Sequence, residues 1–555
     1  MINIKFNPND LRYMFLYGDK NELKTLEGYL NKIPQYMFLP SFRGYPKPEV
    51  FLNKMKTKTK NGEVAYYCFS GLWKTITNFL DSKHIERSKI DTQYILYDFK
   101  LSLGDFQKEV DSWDLNIKPR DYQVRSAWMI LKFRQSLSQL ATRAGKTLIS
   151  YMVFRYMLSH GAHNILMIVP NVSLVKQAVS DMKEYKEFFK SETVWADGEF
   201  AVDANLTIGT FQSLVRKTDK KNKKYDPEFF KKFDVLLIDE AHTSKCESIK
   251  QILSQDFMKN IKIKFGFSGS LPEEDTIDSF ACHSLLGPTI QDIRSIELME
   301  EGFITPVEIT QIRINYEETP ELISEYIKCG EYLNGNDTGK TLPKEQQSFT
   351  MKQEKRLPYA ISKLKDVYEP KEYMSYLVDL CKAKGSNLLL LEQMLVHRSK
   401  KRLDVMDDIL KKIDKNTIVF GHHTEYLKFL EQHFKETFPN RPVYLIQGST
   451  SIKKRDDIIN KLLKDKGAIL VASYGCVGTG LTLKNLDYGI FAQSFKSQII
   501  NKQSIGRGLC LANDKDKYRL YDLIDCFPTG KLKMQGVAKA KLYKKEQFEF
   551  SIREI

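Results

Sequence analysis

From about residue 111, short apolar runs alternate with stretches of helical period, the texture of a parallel sheet covered by helices on both faces. The strand-like runs are Ile165–Val169, Leu206–Gly209, Val235–Ile238 and Ile261–Phe267. The alternation breaks after about residue 308 and resumes with Thr417–Phe420, Val443–Ile446, Ala468–Val471, Tyr488–Phe491 and Tyr518–Leu523. Two α/β domains in tandem are therefore predicted. Ahead of them, residues 1–110 form a separate module whose clearest signal is a hairpin. Lysines recur with period two at Lys54, Lys56, Lys58 and Lys60, Asn61-Gly62 supplies a type I′ turn, and Glu63 to Ser70 is a strand rich in aromatic residues. The polar stretch from Asn334 to Lys355 is read as part of an insertion around 328–372, and residues 528–555 as a basic tail.

Composition narrows the class. Over 555 residues, 42% are hydrophobic, so each domain can bury a core. No apolar run is long enough to span a bilayer, and MINIKFNPND has no signal core, so a cytoplasmic protein is expected. The 8 cysteines show no CxxC pair, which argues against a zinc or redox motif. The net charge of +15 favours an anionic partner, of which nucleic acid is the commonest. The lysine row at 54–60 would suit a phosphate backbone, and it would equally suit an edge strand blunted against aggregation. The lysines of Lys217–Lys232 and of the tail (Lys531, Lys533, Lys539, Lys541, Lys544, Lys545) are read either as an extension of the nucleic-acid track or as a solvated surface loop and a disordered tail.

The chemistry sits at two places. Leu137 to Ala141 runs into Thr142-Arg143-Ala144-Gly145-Lys146-Thr147 and then a helical run. Strand, tight loop and helix N-terminus make a phosphate cradle: loop N–H groups face oxygens, Lys146 reaches the outer phosphates, and the Thr147 hydroxyl meets Mg²⁺. Downstream, the buried-strand pattern Val235–Ile238 ends in Asp239-Glu240-Ala241-His242. Paired carboxylates at the end of an apolar strand are costly unless they serve a cation. Asp239 is read as the Mg²⁺ residue and Glu240 as the base that orients the attacking water. A second GKT, Gly339-Lys340-Thr341, has no strand before it and is set aside.

The ordered series resembles the superfamily 2 helicases with a DEAH-type box, from about Pro119 to Asp525. Pro119-Arg120-Asp121-Tyr122-Gln123 resembles the Q motif, which assigns Arg120 and Gln123 to the nucleotide beside Thr142, Ala144, Gly145, Lys146 and Thr147. His242, Ser268 and Ser270 match the residues that couple hydrolysis to movement. Pro170, Asn171, Thr210, Gln212, Gly421 and Ser473 match strand-contacting motifs. Gly480, Gln503 and Arg507 match the second domain's share of the nucleotide site. Within the superfamily, the phage recombination and branch-migration helicases share further stretches, among them Gly266–Leu271 and Tyr521–Asp525, and a small N-terminal DNA-binding domain.

The resemblance implies an α/β protein with two tandem RecA-like parallel-sheet motor domains and a small α+β N-terminal DNA-binding domain. The boundaries are 1–110, 111–307 for the ATP-binding motor domain, 308–527 for the second, and 528–555. It implies ATP and Mg²⁺ as cofactors and branched or single-stranded DNA as substrate, including forks, Holliday junctions and RNA–DNA hybrids. Replication or recombination proteins are the implied partners. Alternatives are an RNA helicase, a weakly hydrolysing nucleic-acid clamp, and the motor subunit of a larger complex. Two departures bear on the choice. Arg143 stands where the family often has glycine, and Cys510 stands where it usually has a second arginine. A thiol cannot replace a bidentate cation, so Cys510→Arg is expected to raise the ATPase rate.

Overall fold

The computed structural model describes residues 1–34, 37, 45, 47–56, 62–194, 204–226, 228–316, 397, 399–477, 483, 485–493, 497–512, 515–526 and 531–555. The insertion, the second GKT, Lys58, Lys60 and Gly480 lie outside the described residues. The chain divides into two compact units, Met1–Arg294 and Ser295–Ile555.

The first unit opens with an antiparallel sheet of order β1-β2-β4-β3, made of β1 (Ile2–Phe6), β2 (Tyr13–Gly18), β3 (Asn53–Lys54) and β4 (Ala65–Phe69). Strict alternation places Ile2, Ile4, Phe6, Met14, Leu16, Tyr66 and Cys68 on one face. Helices α1 (Lys20–Leu30) and α2 (Trp73–Ser82) cover that face with Leu23, Leu26, Leu30, Ile76 and Leu80. Each such side chain contributes about 1.5–3 kcal/mol when fully buried. The predicted hairpin is present as β3 against β4, with Lys54 opposite Tyr66 and Gly62 at φ +78. It is shorter than the lysine period suggested: the strand stops at Lys54, and Lys56 lies in a bend. The described part of the row therefore puts only Lys54 in a strand.

After α3 (Leu103–Ser112) and α4 (Asp121–Lys132) comes a seven-stranded sheet of order β11-β5-β10-β9-β6-β8-β7, parallel throughout. Its strands are β5 (Gln135–Leu140), β6 (Ile165–Val169), β7 (Ser191–Val194), β8 (Leu206–Thr210), β9 (Val235–Asp239), β10 (Ile263–Ser268) and β11 (Thr289–Ile293). The helices between them are α5 (Lys146–Ser159), α6 (Val172–Tyr185), α7 (Phe211–Thr218), α8 (Glu247–Leu253) and α9 (Ile277–Leu286). Every residue of β6 and β8 is buried, as expected of central parallel strands covered on both faces.

The N-terminal module is welded to this sheet's base. Phe280 and Ala281 of α9 belong to the module's core. Arg12, held by Asp10 at 2.6 Å, donates to the Gln255 carbonyl at 2.8 Å. Thr75 Oγ1 meets His283 Nδ1 at 3.1 Å, and Ser70 accepts from Gln135 at 2.7 Å.

The second unit holds another all-parallel seven-stranded sheet, of order β14-β15-β13-β16-β17-β12-β18. Its elements are α10 (Ser295–Glu300), β12 (Val307–Asn315), α11 (Lys400–Lys411), β13 (Thr417–Gly421), α12 (Thr424–Thr437), β14 (Val443–Ile446), α13 (Ile452–Leu462) and β15 (Ile469–Ser473). Then follow α14 (Tyr474–Val477), β16 (Tyr488–Phe491), α15 (Gln498–Ile505), β17 (Tyr518–Cys526), α16 (Lys531–Lys545) and β18 (Glu549–Glu554). The stretch read as a basic tail is thus a helix and an edge strand. Lys539 of α16 is buried in an ion pair with Asp522, whose second oxygen accepts from Tyr543 at 3.0 Å. Lys539 therefore cannot extend a nucleic-acid track. Asp525 anchors a second buried network, accepting from Arg402 at 2.9 Å and Tyr316 at 2.7 Å.

Candidate nucleotide and nucleic-acid site

Because the strands of each sheet run parallel, all their carboxyl ends emerge on one edge, where loops collect side chains. In the first unit β5, β9 and β10 are adjacent, with Phe267 beside Asp239 and Ser268 beside Gln139. The phosphate loop after β5 and the carboxylates after β9 are neighbours for that reason.

The loop closes on α5 through Gly145, which sits in the left-handed region at φ +79 as the helix N-cap. A Cβ there would collide with the Gln123 side-chain amide, so the close approach also requires glycine. Gln123 is only 6% exposed. Its oxygen accepts from the Arg120 N–H at 2.9 Å, and its nitrogen donates to the Ala144 carbonyl at 3.0 Å. Tyr122 donates to the same carbonyl at 2.8 Å. In this structure the Q-motif segment fastens the phosphate loop. Thr142 lies against Gly269, and the Leu271 N–H donates to Gln139 at 2.8 Å, tying the segment after β10 to β5.

Arg143 adopts φ +75. The loop thus keeps the left-handed turn that a glycine would supply, at a cost of about 1–2 kcal/mol for a residue with a Cβ. That strain follows from the replaced glycine noted in the sequence.

Five groups then form a chain. Lys146 Nζ stands 3.5 Å from Glu240 Oε1, and the other Glu240 oxygen lies 3.2 Å from His242 Nδ1. That nitrogen is 2.9 Å from Ser268 Oγ, which donates to the Ser270 carbonyl at 2.7 Å. Since the Ser268 proton is committed to Ser270, the consistent assignment puts a proton on His242 Nδ1, shared between Glu240 and Ser268. Glu240 itself is held at φ +53, in the left-handed region. Burial pushes the Asp239 carboxyl up, with the Lys146 charge opposing and Glu240 adding to the rise. The Asp239 carboxylate and the Thr147 hydroxyl are hard oxygen donors of the kind that suit Mg²⁺ held jointly with phosphate oxygens.

Asp181 was not legible in the sequence. It lies on α6 and accepts a hydrogen bond from Thr147; burial and the Glu184 carboxylate push it up to about 6, with Arg143 opposing. Its segment, Ser-Asp-Met-Lys-Glu-Tyr, reads as an ordinary solvated helix face.

The strand-contacting candidates of the first unit also sit on the carboxyl edge. Val169 and Thr210 are cross-strand partners. Asn171 caps α6 through Leu174 N at 3.1 Å, Thr210 caps α7 through Ser213 N at 3.4 Å, and Gln212 donates to the Pro170 carbonyl at 3.3 Å. Two helix N-termini therefore open side by side, an arrangement that favours phosphate. Within Lys217–Lys232, Lys217 pairs with Asp226 at 3.6 Å, Lys231 with Glu228 at 2.6 Å and Lys232 with Glu192 at 2.8 Å. Lys217 is buried in its pair, whereas Lys220, Lys221, Lys223, Lys224, Lys231 and Lys232 are exposed.

In the second unit, Gly421 and Ser473 are cross-strand partners at the carboxyl ends of β13 and β15. The N–H groups of His422 and His423 donate to Gln493 Oε1 at 2.7 and 3.2 Å. Gln503 lies on α15, with Arg507 just beyond it and 9% exposed. Cys510 is 7% exposed, and its carbonyl accepts from Thr305 at 2.8 Å. An arginine at 510 would have to enter that buried position. The expected gain in ATPase rate from Cys510→Arg is therefore set against a folding penalty.

Fold and site together are those of a helicase-type nucleoside triphosphatase. Residues 116–273 match the type III restriction enzyme res subunit family, and residues 401–510 match the helicase conserved C-terminal domain. The chain is similar to the ATP-dependent DNA helicase uvsW of Enterobacteria phage T4, with 26% identity over 77% of this chain and 73% of that protein. It is also similar to the putative ATP-dependent helicase IRC3 of Saccharomyces cerevisiae, at 20% identity over 70% of this chain and 48% of that protein. Among solved structures, Mss116p bound to ssRNA and AMP-PNP shares the fold at a TM-score of 0.50 and 12% identity, covering 83% of this chain and 81% of that one. No described helix is long and apolar enough to cross a membrane.

Proposed function

We propose that this protein is an ATP-driven DNA helicase or translocase that remodels branched DNA such as forks, Holliday junctions and RNA–DNA hybrids. Recombination, repair or replication is its setting, and the cytoplasm its location. The observation that carries the reading is the chain Lys146–Glu240–His242–Ser268–Ser270, which links a phosphate-loop lysine to the segment after β10 through successive polar contacts.

Thr147 and Asp239 are the residues that would hold Mg²⁺, which when bound neutralises charge on the terminal phosphates. Lys146 would leave Glu240 for the outer phosphates, because a phosphate oxygen offers it a denser charge. Glu240, released, would orient the attacking water and take its proton. The loss of that contact would shift the proton shared by His242 and so be felt at Ser268 and Ser270. Gly480, Gln503 and Arg507 are assigned to the same nucleotide by the family resemblance. Pro170, Asn171, Thr210, Gln212, Gly421 and Ser473 would hold the DNA backbone, and such contacts tolerate any sequence.

ATP hydrolysis is to be measured without nucleic acid, with single-stranded DNA, forked DNA and RNA, for the wild type and Lys146→Ala. Stimulation by forked DNA that is lost in Lys146→Ala supports the reading. A wild-type rate no higher than the variant under every condition leaves a binding clamp, the alternative that Arg143 in its strained conformation favours. Stimulation by RNA alone makes it an RNA helicase.

A further inference from the structure

The N-terminal sheet has a second face. Alternation that sends Met14, Leu16, Tyr66 and Cys68 into the core turns Tyr13, Phe15, Tyr17, Tyr67 and Phe69 the other way. None of these rings belongs to the core that α1 and α2 complete, and Tyr67 is 37% exposed. Register sets them in rows across the strands: Lys5, Phe15, Tyr67 and Asn53 lie side by side, and Tyr13 lies beside Phe69. Tyr13 stacks on Phe69 with ring centres 5.0 Å apart and meets Tyr67 edge-on at 6.3 Å.

A hydrophobic sheet face of this size is normally covered. What fits here is read from its charge. The four strands contain no acidic residue, and Lys5, exposed and beside Phe15, lies on this face, whereas Lys54, opposite Tyr66, belongs to the other. Lys5 Nζ stands 5.4 Å above the Tyr17 ring. The nearby Arg12 is paired with both Asp10 and Asp256 and adds no positive charge. Flat rings beside a cation complement a chain that alternates flat bases with phosphates. In a duplex the bases are already stacked on one another, so only unpaired bases can lie on this face.

We propose that the face bearing Tyr13, Phe15, Tyr67 and Phe69 is a stacking platform for single-stranded DNA, with Lys5 taking a flanking phosphate. The choice of DNA rests on the motor reading above. The platform makes the N-terminal module a reader of unpaired bases, a task distinct from the backbone contacts of the sheet edges.

The test uses the full chain without nucleotide, so it remains readable if the ATPase reading fails. Binding of a single-stranded DNA containing 2-aminopurine is followed by anisotropy and by the quench that stacking causes. Tyr67→Ala is expected to weaken binding about tenfold and abolish the quench, while a blunt duplex of the same length binds as before. Tyr67→Trp is expected to keep both. Lys5→Glu, which leaves every ring in place, should weaken the same binding several-fold and flatten its salt dependence. Equal losses on single strand and duplex, or no loss in either variant, overturn the platform. Tighter wild-type binding of RNA than of DNA of the same sequence overturns the choice of DNA.

Discussion

Gly71 lies so close to the carbonyl oxygen of His283 that a single methyl group on its Cα would overlap it. The carbonyl of Ser284 and the N–H of Gly287 would be only 2.9 and 3.0 Å from the same methyl. These are backbone atoms, which cannot swing aside as a side chain can. The turn before α2 and the end of α9 are therefore seated directly on one another. The N-terminal module and the first motor sheet form one body at this seam.

Gly71→Ala should cost about 1–3 kcal/mol of stability through that overlap. Urea denaturation of the full chain reads it directly. An unchanged midpoint would mean that the two backbones part freely.

The phosphate loop separates backbone from charge at one residue. Arg143→Gly should stabilise the chain by about 1 kcal/mol, because the left-handed conformation no longer carries a Cβ. Arg143→Ala keeps the Cβ and should bring no such gain. Hydrolysis should be at least as fast in Arg143→Gly as in the wild type. Equal loss of hydrolysis in both variants would assign the guanidinium a working role.

Lys264 offers a pH dependence away from the chemistry. It sits at the base of β10, 8% exposed, and burial, with the Arg12 charge adding, lowers it to about 7 from its ordinary 10.5. The unfolded chain therefore binds a proton at this site between about pH 10.5 and 7 that the folded chain does not. Wild-type stability falls as pH drops through that window and is level below it. Lys264→Met should be more stable than wild type by roughly 2–4 kcal/mol at pH 7, with the advantage shrinking toward pH 10. Paired urea titrations at pH 7 and 9.5 test it. A constant difference at both would mean that the lysine is charged when folded.

In the second unit, Asp525→Ala strands the buried Arg402 guanidinium and removes the partner of Tyr316. A loss of about 3–5 kcal/mol is expected, read by thermal unfolding. A milder loss, near 1 kcal/mol, would show that water reaches Arg402 in the variant.

How much of this was legible in the chain follows from burial. The central strands β6, β8, β9, β13 and β16 are short continuous apolar runs, and they lie within a residue of where the hydrophobic pattern put them. Two edge strands lack that pattern: Ser191–Val194 buries the charged Glu192, Glu549–Glu554 is polar and largely exposed, and both read as loop or tail. Helix α16 was hidden by its lysines, although Leu532, Leu542 and Tyr543 are buried. In the site, Lys146, Asp239 and Glu240 could be placed because strand, loop and helix each announce themselves locally. Asp181 reaches Thr147 from another helix, a contact that spacing along the chain does not encode. The aromatic face was half-visible as a strand rich in aromatic residues, but its rows needed the pairing with β2, which no local signal gives.

The order of strands in the second sheet carries a consequence for how the protein is made. β12 has β17 and β18 as its neighbours, and both come far later in the chain. As the polypeptide leaves the ribosome, the first unit can close on itself while β12 still waits for a partner. During that interval a strand carrying the apolar Val307, Ile309, Ile312 and Ile314 is open along both edges. Newly made chains are then most exposed to mispairing with one another, and a chaperone that shields extended segments would act at that moment of synthesis.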